Sequence, residues 1–342
     1  MKDIKDLNLN ELEAVIEDWG VSRFRGRQIF SWIYQRGVVD FDAMTDLPLD
    51  LRRKLKKNFC IQSAILIKRL KSQDGTEKFL LELKDKNLIE SVVIPAKGRI
   101  TGCLSSQAGC RFGCRFCASG ASGFKRDLSA SEILEEVLYI KNYSQCKKLT
   151  HIVFMGTGEP LDNYANVIKA IRIINSCDGF NIGARRITIS TCGIIPGIRK
   201  LSDEGLQIEL SVSLHAADDK IRSYIMPINR KYPLKDLLPA CKAYIKKTNR
   251  QVTFEYVLIK GINSDLQSAK KLVTILKGIN CKVNLIPANF IKEFNIAPAA
   301  MHEIFLFKNI LIKSGINVTL RKSRGVDIDA ACGQLRLRYE NK

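Results

Sequence analysis

The sequence predicts an α/β fold in which a partial (β/α)6 barrel follows a small N-terminal helical domain and a short β-rich connector. Residues 1–60 have helical periodicity, and residues 61–98 hold short apolar runs separated by turns. From residue 99 to residue 342, strand-like runs alternate with amphipathic helical segments. We therefore predict three parts with these boundaries.

The N-terminal part is predicted to contain helices. Asn8 or Asn10 can cap the segment ELEAVIEDWG, and two further helices are predicted in RGRQIFSWIYQRG and PLDLRRKLKKNF. Arg23, Arg25 and Arg27 stand near aromatic residues. That combination suits an RNA-binding face, but it is equally typical of a solvated helix surface.

The connector is predicted to begin with a hairpin. In AILIKRLKSQDGTEKFLLEL, two apolar runs flank a turn at Asp74 and Gly75. The run NLIESVVIP follows as another strand and ends at Pro95.

The barrel is predicted from six strand and helix units. The strands are RITGCLSS, HIVFMG, RITIST, IELSVSL, VTFEYVLI and KVNLIP, and NVTLR is a seventh strand at the edge. Consecutive units of this kind give parallel strands with right-handed crossovers. Six units are too few to close an eight-stranded barrel, so we expect an open barrel whose active site lies at the carboxyl ends of the strands.

Composition restricts the partners. The 342 residues carry a net charge of +20, from 55 basic and 35 acidic residues, which favours a polyanion such as a nucleic acid, although general solubility would also explain it. No apolar run is long enough for a membrane helix, and the N-terminus has no apolar signal segment. We expect a cytoplasmic protein without a membrane partner. Eleven cysteines, an odd number, argue against a disulfide framework.

Three cysteines are clustered in GCRFGCRFCASG. Cys110, Cys114 and Cys117 have a C-x3-C-x2-C spacing and follow the first barrel strand. Thiolates bind zinc or iron–sulfur clusters, and a structural zinc site would need a fourth ligand nearby, which the sequence lacks. Three thiolates on a four-iron cluster would instead leave one iron open to a substrate.

Other candidate residues stand at the ends of the next strands. They are Gly158 and Glu159 in FMGTGEPL, Ser190 in ITIST, Ser213, Leu214 and His215 in SVSLH, and Asn289 in NLIPAN. Each alone is typical of a helix cap or of local packing. Together they place polar groups at successive strand ends, which indicates a ligand site.

The cysteine spacing, with Phe116 before the last cysteine, resembles the signature of radical S-adenosylmethionine (SAM) enzymes. The resemblance implies a [4Fe-4S] cluster on Cys110, Cys114 and Cys117, with SAM chelated to the open iron. It also implies that the seven residues at the strand ends bind SAM.

Nearly the whole chain resembles the RlmN family within that superfamily. The segments that carry the resemblance are FRGRQIFSWIYQRGVVDFDAMTDLP, IESVVIP, CLSSQAGCRFGCRFCASG, FMGTGEPLDNY and RKSRGVDIDAACGQLR. Family members methylate C2 of adenine in 23S ribosomal RNA and in transfer RNA, using two SAM molecules per turnover. The resemblance implies this activity here, with an electron donor such as flavodoxin and a monomeric enzyme.

The resemblance also implies roles for three residues. Cys332 takes a methyl group from one SAM, and a 5′-deoxyadenosyl radical from the second removes a hydrogen atom from that methyl. The carbon radical adds to adenine, Glu90 accepts the ring proton, and Cys103 resolves the adduct by forming a disulfide with Cys332. The chain departs from the family pattern at Cys192, where serine is usual, and at Phe290, where proline is usual.

Two alternatives remain open from the sequence. Relatives of the Cfr type methylate C8 of adenine with the same cluster and the same two reactive cysteines. A zinc-stabilised RNA-binding protein without catalysis would explain the charge and the cysteine trio. It would not explain Cys103, Cys332 or the residues at the strand ends.

Overall fold

The computed structural model describes residues 1–121, 123–144, 148–288, 296–321 and 324–328. Its α-helices are α1 (Leu9–Asp18), α2 (Phe24–Tyr34), α3 (Leu49–Asn58), α4 (Ala118–Ala121), α5 (Ala130–Tyr143), α6 (Tyr164–Asn175), α7 (Ile195–Asp203), α8 (Asp219–Ile225), α9 (Leu234–Thr248), α10 (Leu266–Leu276) and α11 (Met301–Lys313). Its strands are β1 (Lys2–Asp3), β2 (Phe59–Cys60), β3 (Ile65–Lys71), β4 (Glu77–Glu82), β5 (Leu88–Ala96), β6 (Arg99–Cys103), β7 (Gln107–Gly109), β8 (Phe124–Asp127), β9 (His151–Phe154), β10 (Ile187–Thr191), β11 (Glu209–Ser213), β12 (Val252–Leu258), β13 (Cys281–Pro287) and β14 (Asn317–Leu320).

The N-terminal helices form as predicted, and Asn8 is the cap of the first one. Its Oδ1 accepts from the Glu11 amide at 2.9 Å, while its own amide donates to Glu11 Oε2 at 2.7 Å. This reciprocal pair satisfies two amides that a helix start leaves without partners. The short parallel pairing of β1 with β2, which the sequence does not reveal, joins the two ends of this part.

The N-terminal part packs against the barrel helices. Its apolar residues belong to the same core as the helices and strands of the barrel. The ring of Tyr34 lies 5.3 Å from that of Phe180, and the buried Lys5 forms an ion pair with Glu135 of α5. The position of this part on the barrel is therefore fixed by apolar and polar contacts together.

The predicted parallel strands form one open sheet. The strand order is β14-β13-β12-β11-β10-β9-β6-β5-β4-β3, and the neighbours from β6 to β14 pair in parallel. The six predicted barrel strands and the edge strand β14 are thereby confirmed. Among the described residues β14 and β3 are the two edges, so the sheet is open there, and the carboxyl ends of its parallel strands share one side.

The connector strands extend this sheet, which the sequence analysis did not anticipate. Strands β3, β4, β5 and β6 pair in antiparallel order. Phe79 and its neighbours on one face pack towards α5, where the Phe79 ring lies 5.5 Å from Tyr139. Lys78, Val92 and Cys103 stand opposite one another across β4, β5 and β6, so they share the other face. We call this the interior face of the sheet.

The barrel helices cover the outer side of the sheet in neighbouring pairs. Helix α5 packs beside α6, α7 beside α9, and α10 beside α11. Helix α5 begins with a second capping box, in which Ser129 and Glu132 bind each other's amides. Across the described part of the chain, no helix combines the length and the apolar character needed to cross a bilayer.

Candidate functional site

The cysteine loop is held by a small hairpin that follows β6. Strands β7 and β8 pair in antiparallel order, and the Cys110 amide donates to the Gly123 carbonyl at 3.0 Å. Gly109 has φ +87°, and a Cβ atom there would lie 1.9 Å from the Gly123 oxygen. Only glycine fits such a close approach, so the base of the loop depends on it.

The loop folds back over the mouth of the barrel. The Cys117 amide donates to the Cys114 carbonyl, and the Arg115 amide donates to the Ile225 carbonyl, both at 3.0 Å. Phe112 and Phe116 pack against an apolar cluster at the strand ends, which includes Cys192 and Val257. The trio therefore sits beside the strand ends, as the sequence predicts.

Electrostatics at the trio suit thiolates bound to a strongly positive group. All three cysteines are half-buried. Burial raises the pKa of Cys110 to about 12. Burial, and after it the charges of Cys117 and Cys110, raise the pKa of Cys114. Thiols in this setting keep their protons unless iron binds the sulfur atoms and replaces those protons.

The three thiols of the loop match the ligand set of a four-iron cluster. Within the described ranges, no three Cys, His, Asp or Glu side chains are grouped as ligands of one metal ion. A four-iron cluster takes each thiolate on a different iron, so its ligands need not converge on one point. The apolar neighbours Phe112 and Phe116 would keep water from its sulfur atoms. Cys110, Cys114 and Cys117 can thus hold a [4Fe-4S] cluster.

The GTGEP turn after β9 approaches the chain after β6 very closely. A Cβ atom on Gly156 would lie 2.6 Å from the Leu104 oxygen. On Gly158, which has φ +105°, it would lie 2.6 Å from Gln107 Cβ and 2.7 Å from Ser106 Oγ. Glycine at both positions allows this turn to pack directly on the strand that precedes the cysteine loop.

The Glu159 carboxylate ties two strand ends together. It is buried, and it accepts from the Cys192 amide at 2.7 Å and from the Leu161 amide at 3.1 Å. The Cys192 side chain also hydrogen-bonds to it, whereas burial raises the pKa of Glu159. A serine hydroxyl could donate in the same way. The departure at Cys192 therefore preserves the contact.

A buried arginine stabilises the strand ends at the same end of the barrel. Arg222 is 0% exposed, and its guanidinium donates to the carbonyls of Cys192 at 2.9 Å, Ser213 at 3.1 Å and Leu214 at 3.0 Å. A fourth bond, at 2.8 Å, goes to Asn229 Oδ1. Because these carbonyls stand at the carboxyl ends of β10 and β11, the arginine fixes the spacing of those two strand ends.

The remaining strand-end residues occupy different environments. Ile189 and Val212 belong to the core on the helix side, so the adjacent Ser190 and Ser213 point to the interior. Leu214 packs into the core on the helix side. Its amide donates to the Glu255 carbonyl at 3.0 Å and its carbonyl accepts from Arg222, so its backbone helps to hold the strand ends together.

His215 joins β11, β12 and the cysteine loop. It has φ +56°, its Nδ1 accepts from the Val257 amide at 3.0 Å, and its ring lies edge-on to Phe116 with 4.5 Å between centroids. Burial, with the charge of Arg222, lowers its pKa to about 3. The imidazole is therefore neutral near pH 7, and its other nitrogen carries the proton.

Cys103 and Glu90 lie on the interior face of the connector strands. Cys103 is buried and stands opposite Val92 across the β5–β6 pairing. Glu90, two residues before Val92, therefore points to the same face. Its Oε2 lies 2.9 Å from Lys78 Nζ, and both side chains are almost fully buried.

Two of the expected site residues lie outside the described residues. They are Cys332 and Asn289, and the departure at Phe290 also falls there. No disulfide joins any two of the cysteines in the described ranges. The expected disulfide between Cys103 and Cys332 is not covered by that observation.

Three residues of the site were missed by sequence reasoning. Lys78 has the pattern of a solvent-facing strand residue, and Arg222 has that of a helix surface. Gln107 Nε2 donates to Asp127 and Asp162, both at 2.8 Å, while its Oε1 accepts from the Glu159 amide at 2.9 Å. Gln107 stands in the sequence between Cys103 and the cysteine trio, and this position could have marked it as a site residue.

The fold and the candidate site together define the class of enzyme. The radical SAM superfamily model matches residues 104–273, which hold the trio and the strand ends up to His215. Residues 2–61 match the ribosomal RNA large subunit methyltransferase N-terminal domain. The chain thus has the fold and the cysteine loop of a radical SAM enzyme.

Relatives of full length identify the family. A probable dual-specificity RNA methyltransferase RlmN from Clostridium novyi (strain NT) is 48% identical over 99% of both chains. One from Staphylococcus aureus (strain JH9) is 45% identical over 98% of this chain and 93% of its own. The crystal structure of a radical SAM methyltransferase from Sphaerobacter thermophilus is 43% identical, covers 98% of this chain and 99% of its own, and superposes with a TM-score of 0.93. The chain belongs to the RlmN family.

Proposed function

We propose that the protein methylates C2 of an adenine in 23S ribosomal RNA and of an adenine in transfer RNA. The main support is similarity from end to end to proteins named dual-specificity RNA methyltransferases. The half-buried cysteine trio beside the strand ends adds independent chemical support. Two SAM molecules serve one turnover, one as methyl donor and one as radical source.

The cysteine trio and the strand ends are assigned to the cofactors. When bound, a [4Fe-4S] cluster supplies the electron that cleaves SAM. In our proposal Gly158 and Glu159 bind the SAM amino group. The interior-facing Ser190 and Ser213 contact other polar atoms of SAM. Leu214, His215 and Asn289 complete this set. The buried Arg222 keeps the strand ends in register for them.

The interior face of the connector is assigned to the RNA adduct. Cys332 carries the methyl carbon to adenine, and Glu90 takes the ring proton. The Lys78 ammonium lies 2.9 Å from Glu90 Oε2 and holds the carboxyl group in place on this face. After the radical adduct has returned one electron to the redox cofactor, the Cys103 thiolate attacks the sulfur of Cys332. The bond between that sulfur and the methylene carbon breaks, and the carbon takes up a proton to become the methyl group. The new disulfide leaves the methylated RNA free, and a dithiol reductant must reduce it before the next turnover.

Nucleoside analysis tests the reaction. Ribosomal and transfer RNA that lack the modification are incubated anaerobically with protein, SAM and reductant, digested, and compared with 2-methyladenosine and 8-methyladenosine standards. We expect 2-methyladenosine from both RNAs. Formation of 8-methyladenosine alone would favour Cfr-type chemistry. Purified protein with zinc but without iron and sulfide would favour the non-catalytic alternative.

The cellular setting and the division into parts belong to the same proposal. Residues 1–60 assist RNA recognition, and residues 99–342 form the catalytic part. Residues 61–98 connect the two. The net charge of +20 suits an RNA substrate. We place the enzyme in the cytoplasm as a monomer with a flavodoxin-type electron donor. Light scattering during gel filtration tests the monomer, and reduction by purified flavodoxin tests the donor.

A further inference from the structure

A buried carboxyl group on α5 holds the connector and the barrel together. Glu136 is 0% exposed, and the Ser105 amide donates to its Oε1 at 3.2 Å and to its Oε2 at 3.0 Å. Its Oε2 also accepts from Ser91 Oγ at 2.5 Å. Ser91 lies on the connector strand β5, and Ser105 follows the barrel strand β6. One side chain therefore fixes two segments from different parts of the chain.

The Ser105 hydroxyl continues this network as a bridge from β5 to the GTGEP turn. Its Oγ donates to the Glu90 carbonyl at 2.8 Å and accepts from the Thr157 amide at 3.1 Å. Ser105 is 0% exposed, so bulk water does not compete for these two bonds. The bridge thus joins the backbone of Glu90 directly to the residue that precedes Gly158.

Thr157 lies where three segments of the site meet. Its carbonyl accepts from the amides of Ser106 at 2.8 Å and Gln107 at 3.1 Å. Its Oγ1 accepts from Ser119 Oγ at 3.4 Å, and Ser119 belongs to α4, directly after the cysteine trio. A shift of Ser105 would therefore move the turn against both the connector and the cysteine loop.

We propose that Glu136 and Ser105 are positioning residues that set the distance between the GTGEP turn and the interior face, which holds Glu90 and Cys103. Glu136 fixes the backbone of Ser105, two residues after Cys103, and the Ser105 hydroxyl fixes Glu90 to Thr157. Both residues act through the backbone groups that they bind. This inference rests on the proposed function, which assigns the turn to SAM and the interior face to the RNA adduct.

The distance between these two places decides how often SAM cleavage leads to product. SAM is cleaved beside the turn, whereas the adenine reacts over the interior face. A misplacement of about 1 Å can lower the rate of a reaction about a hundredfold. Loss of the bridge should therefore lower the yield of methylated RNA for each SAM that is cleaved. A general loss of stability would lower both products together and leave their ratio unchanged.

The test measures two products of one anaerobic reaction of the full-length holoenzyme with unmodified ribosomal RNA, SAM and reductant. These are 2-methyladenosine in the RNA and 5′-deoxyadenosine from SAM cleavage. We expect Ser105→Ala and Glu136→Leu to lower the ratio of 2-methyladenosine to 5′-deoxyadenosine about tenfold or more. Wild-type ratios in both variants would overturn the inference, even if both products decreased.

Glu136→Gln is the rescue variant. Its amide oxygen can accept from the Ser105 amide, and its NH2 group can donate to Ser91 Oγ. Burial raises the pKa of Glu136, so an uncharged group suits this site. We expect Glu136→Gln to recover most of the ratio that Glu136→Leu loses. A ratio for Glu136→Gln as low as that for Glu136→Leu would contradict the assigned hydrogen bonds.

Ser131→Ala is the matched control. Ser131 is also a buried serine, and it lies on α5, where its Oγ is 2.8 Å from that of Ser129 in the helix cap. Its loss removes a hydroxyl contact of similar burial but leaves the Ser105 bridge intact, so the wild-type ratio should remain. A fall equal to that of Ser105→Ala would overturn the inference, because the effect would then not depend on the bridge.

Hydrogen exchange tests the bridge without RNA. The Thr157 amide should exchange faster in Ser105→Ala than in wild type, because its acceptor has been removed. The Leu104 amide, which donates to the Val153 carbonyl at 2.9 Å in both proteins, is the internal reference. Equal Thr157 rates relative to Leu104 would overturn the inference. A wild type that cleaves SAM but forms no 2-methyladenosine would refute the proposed function instead, and the Thr157 rate would then decide whether Ser105 positions the turn.

Discussion

The buried pair of Lys78 and Glu90 gives a sharp prediction about stability. Lys78 Nζ lies 2.9 Å from Glu90 Oε2, with side-chain exposures of 0% and 2%. Lys78→Met keeps most of the side-chain length but leaves the carboxylate buried without this ammonium. Breaking a buried ion pair in this way costs about 3–5 kcal/mol of unfolding free energy. The double variant Lys78→Met with Glu90→Gln should recover most of that loss.

The same hairpin supplies the control. Lys86 Nζ lies 2.8 Å from Glu82 Oε1, but the lysine side chain is 76% exposed, so Lys86→Met should cost about 0–1 kcal/mol. Urea unfolding of both variants is monitored by circular dichroism under anaerobic conditions. It compares two ion pairs that have nearly equal N–O distances but differ in burial. A loss for Lys78→Met within about 1 kcal/mol of the loss for Lys86→Met would show that burial adds little to the contribution of the Lys78–Glu90 pair.

Further predictions concern the cysteine loop and the strand ends. Gly158→Ala should cost about 1–3 kcal/mol in backbone strain and weaken SAM binding in equilibrium dialysis, whereas Gly183→Ala, with open space around it, should bind normally. Equal SAM binding by the two variants would contradict the close packing of Gly158 on Ser106 and Gln107. Cys192→Ser should change the unfolding free energy by less than about 1 kcal/mol. Cys192→Ala should cost about 1–3 kcal/mol, because Glu159 loses a hydrogen-bond donor. A larger loss of unfolding free energy for Cys192→Ser than for Cys192→Ala would contradict this. Cys117→Ala should purify without iron and sulfide but with unchanged circular dichroism, and a full complement of iron would remove Cys117 from the cluster.

Local patterns in the sequence sufficed for the barrel and for the position of the trio. Apolar runs such as VTFEYVLI, separated by amphipathic helices, specify parallel strands, and Asn8 with Glu11 specifies a helix start. The cysteine spacing needs no long-range information, because all three thiols lie on one short loop.

The rest depends on pairings between distant residues. The sequence cannot show that β5 joins β6, so it could not place Glu90 and Cys103 on one face. Lys78 has the sequence context of an exposed strand lysine, because its partner is a residue on the neighbouring strand. Arg222 was missed for a similar reason: it binds carbonyl groups, which every residue has, and only the fold brings them together.

In the proposed reaction Cys332 carries the carbon to the RNA and Cys103 releases it. The most direct measurement follows a methyl group from deuterated SAM in an anaerobic reaction with ribosomal RNA, using wild type, Cys332→Ala and Cys103→Ala. We expect methylated RNA from wild type, neither methyl-protein nor product from Cys332→Ala, and a covalent protein–RNA adduct from Cys103→Ala. Methylated RNA from Cys332→Ala would contradict it.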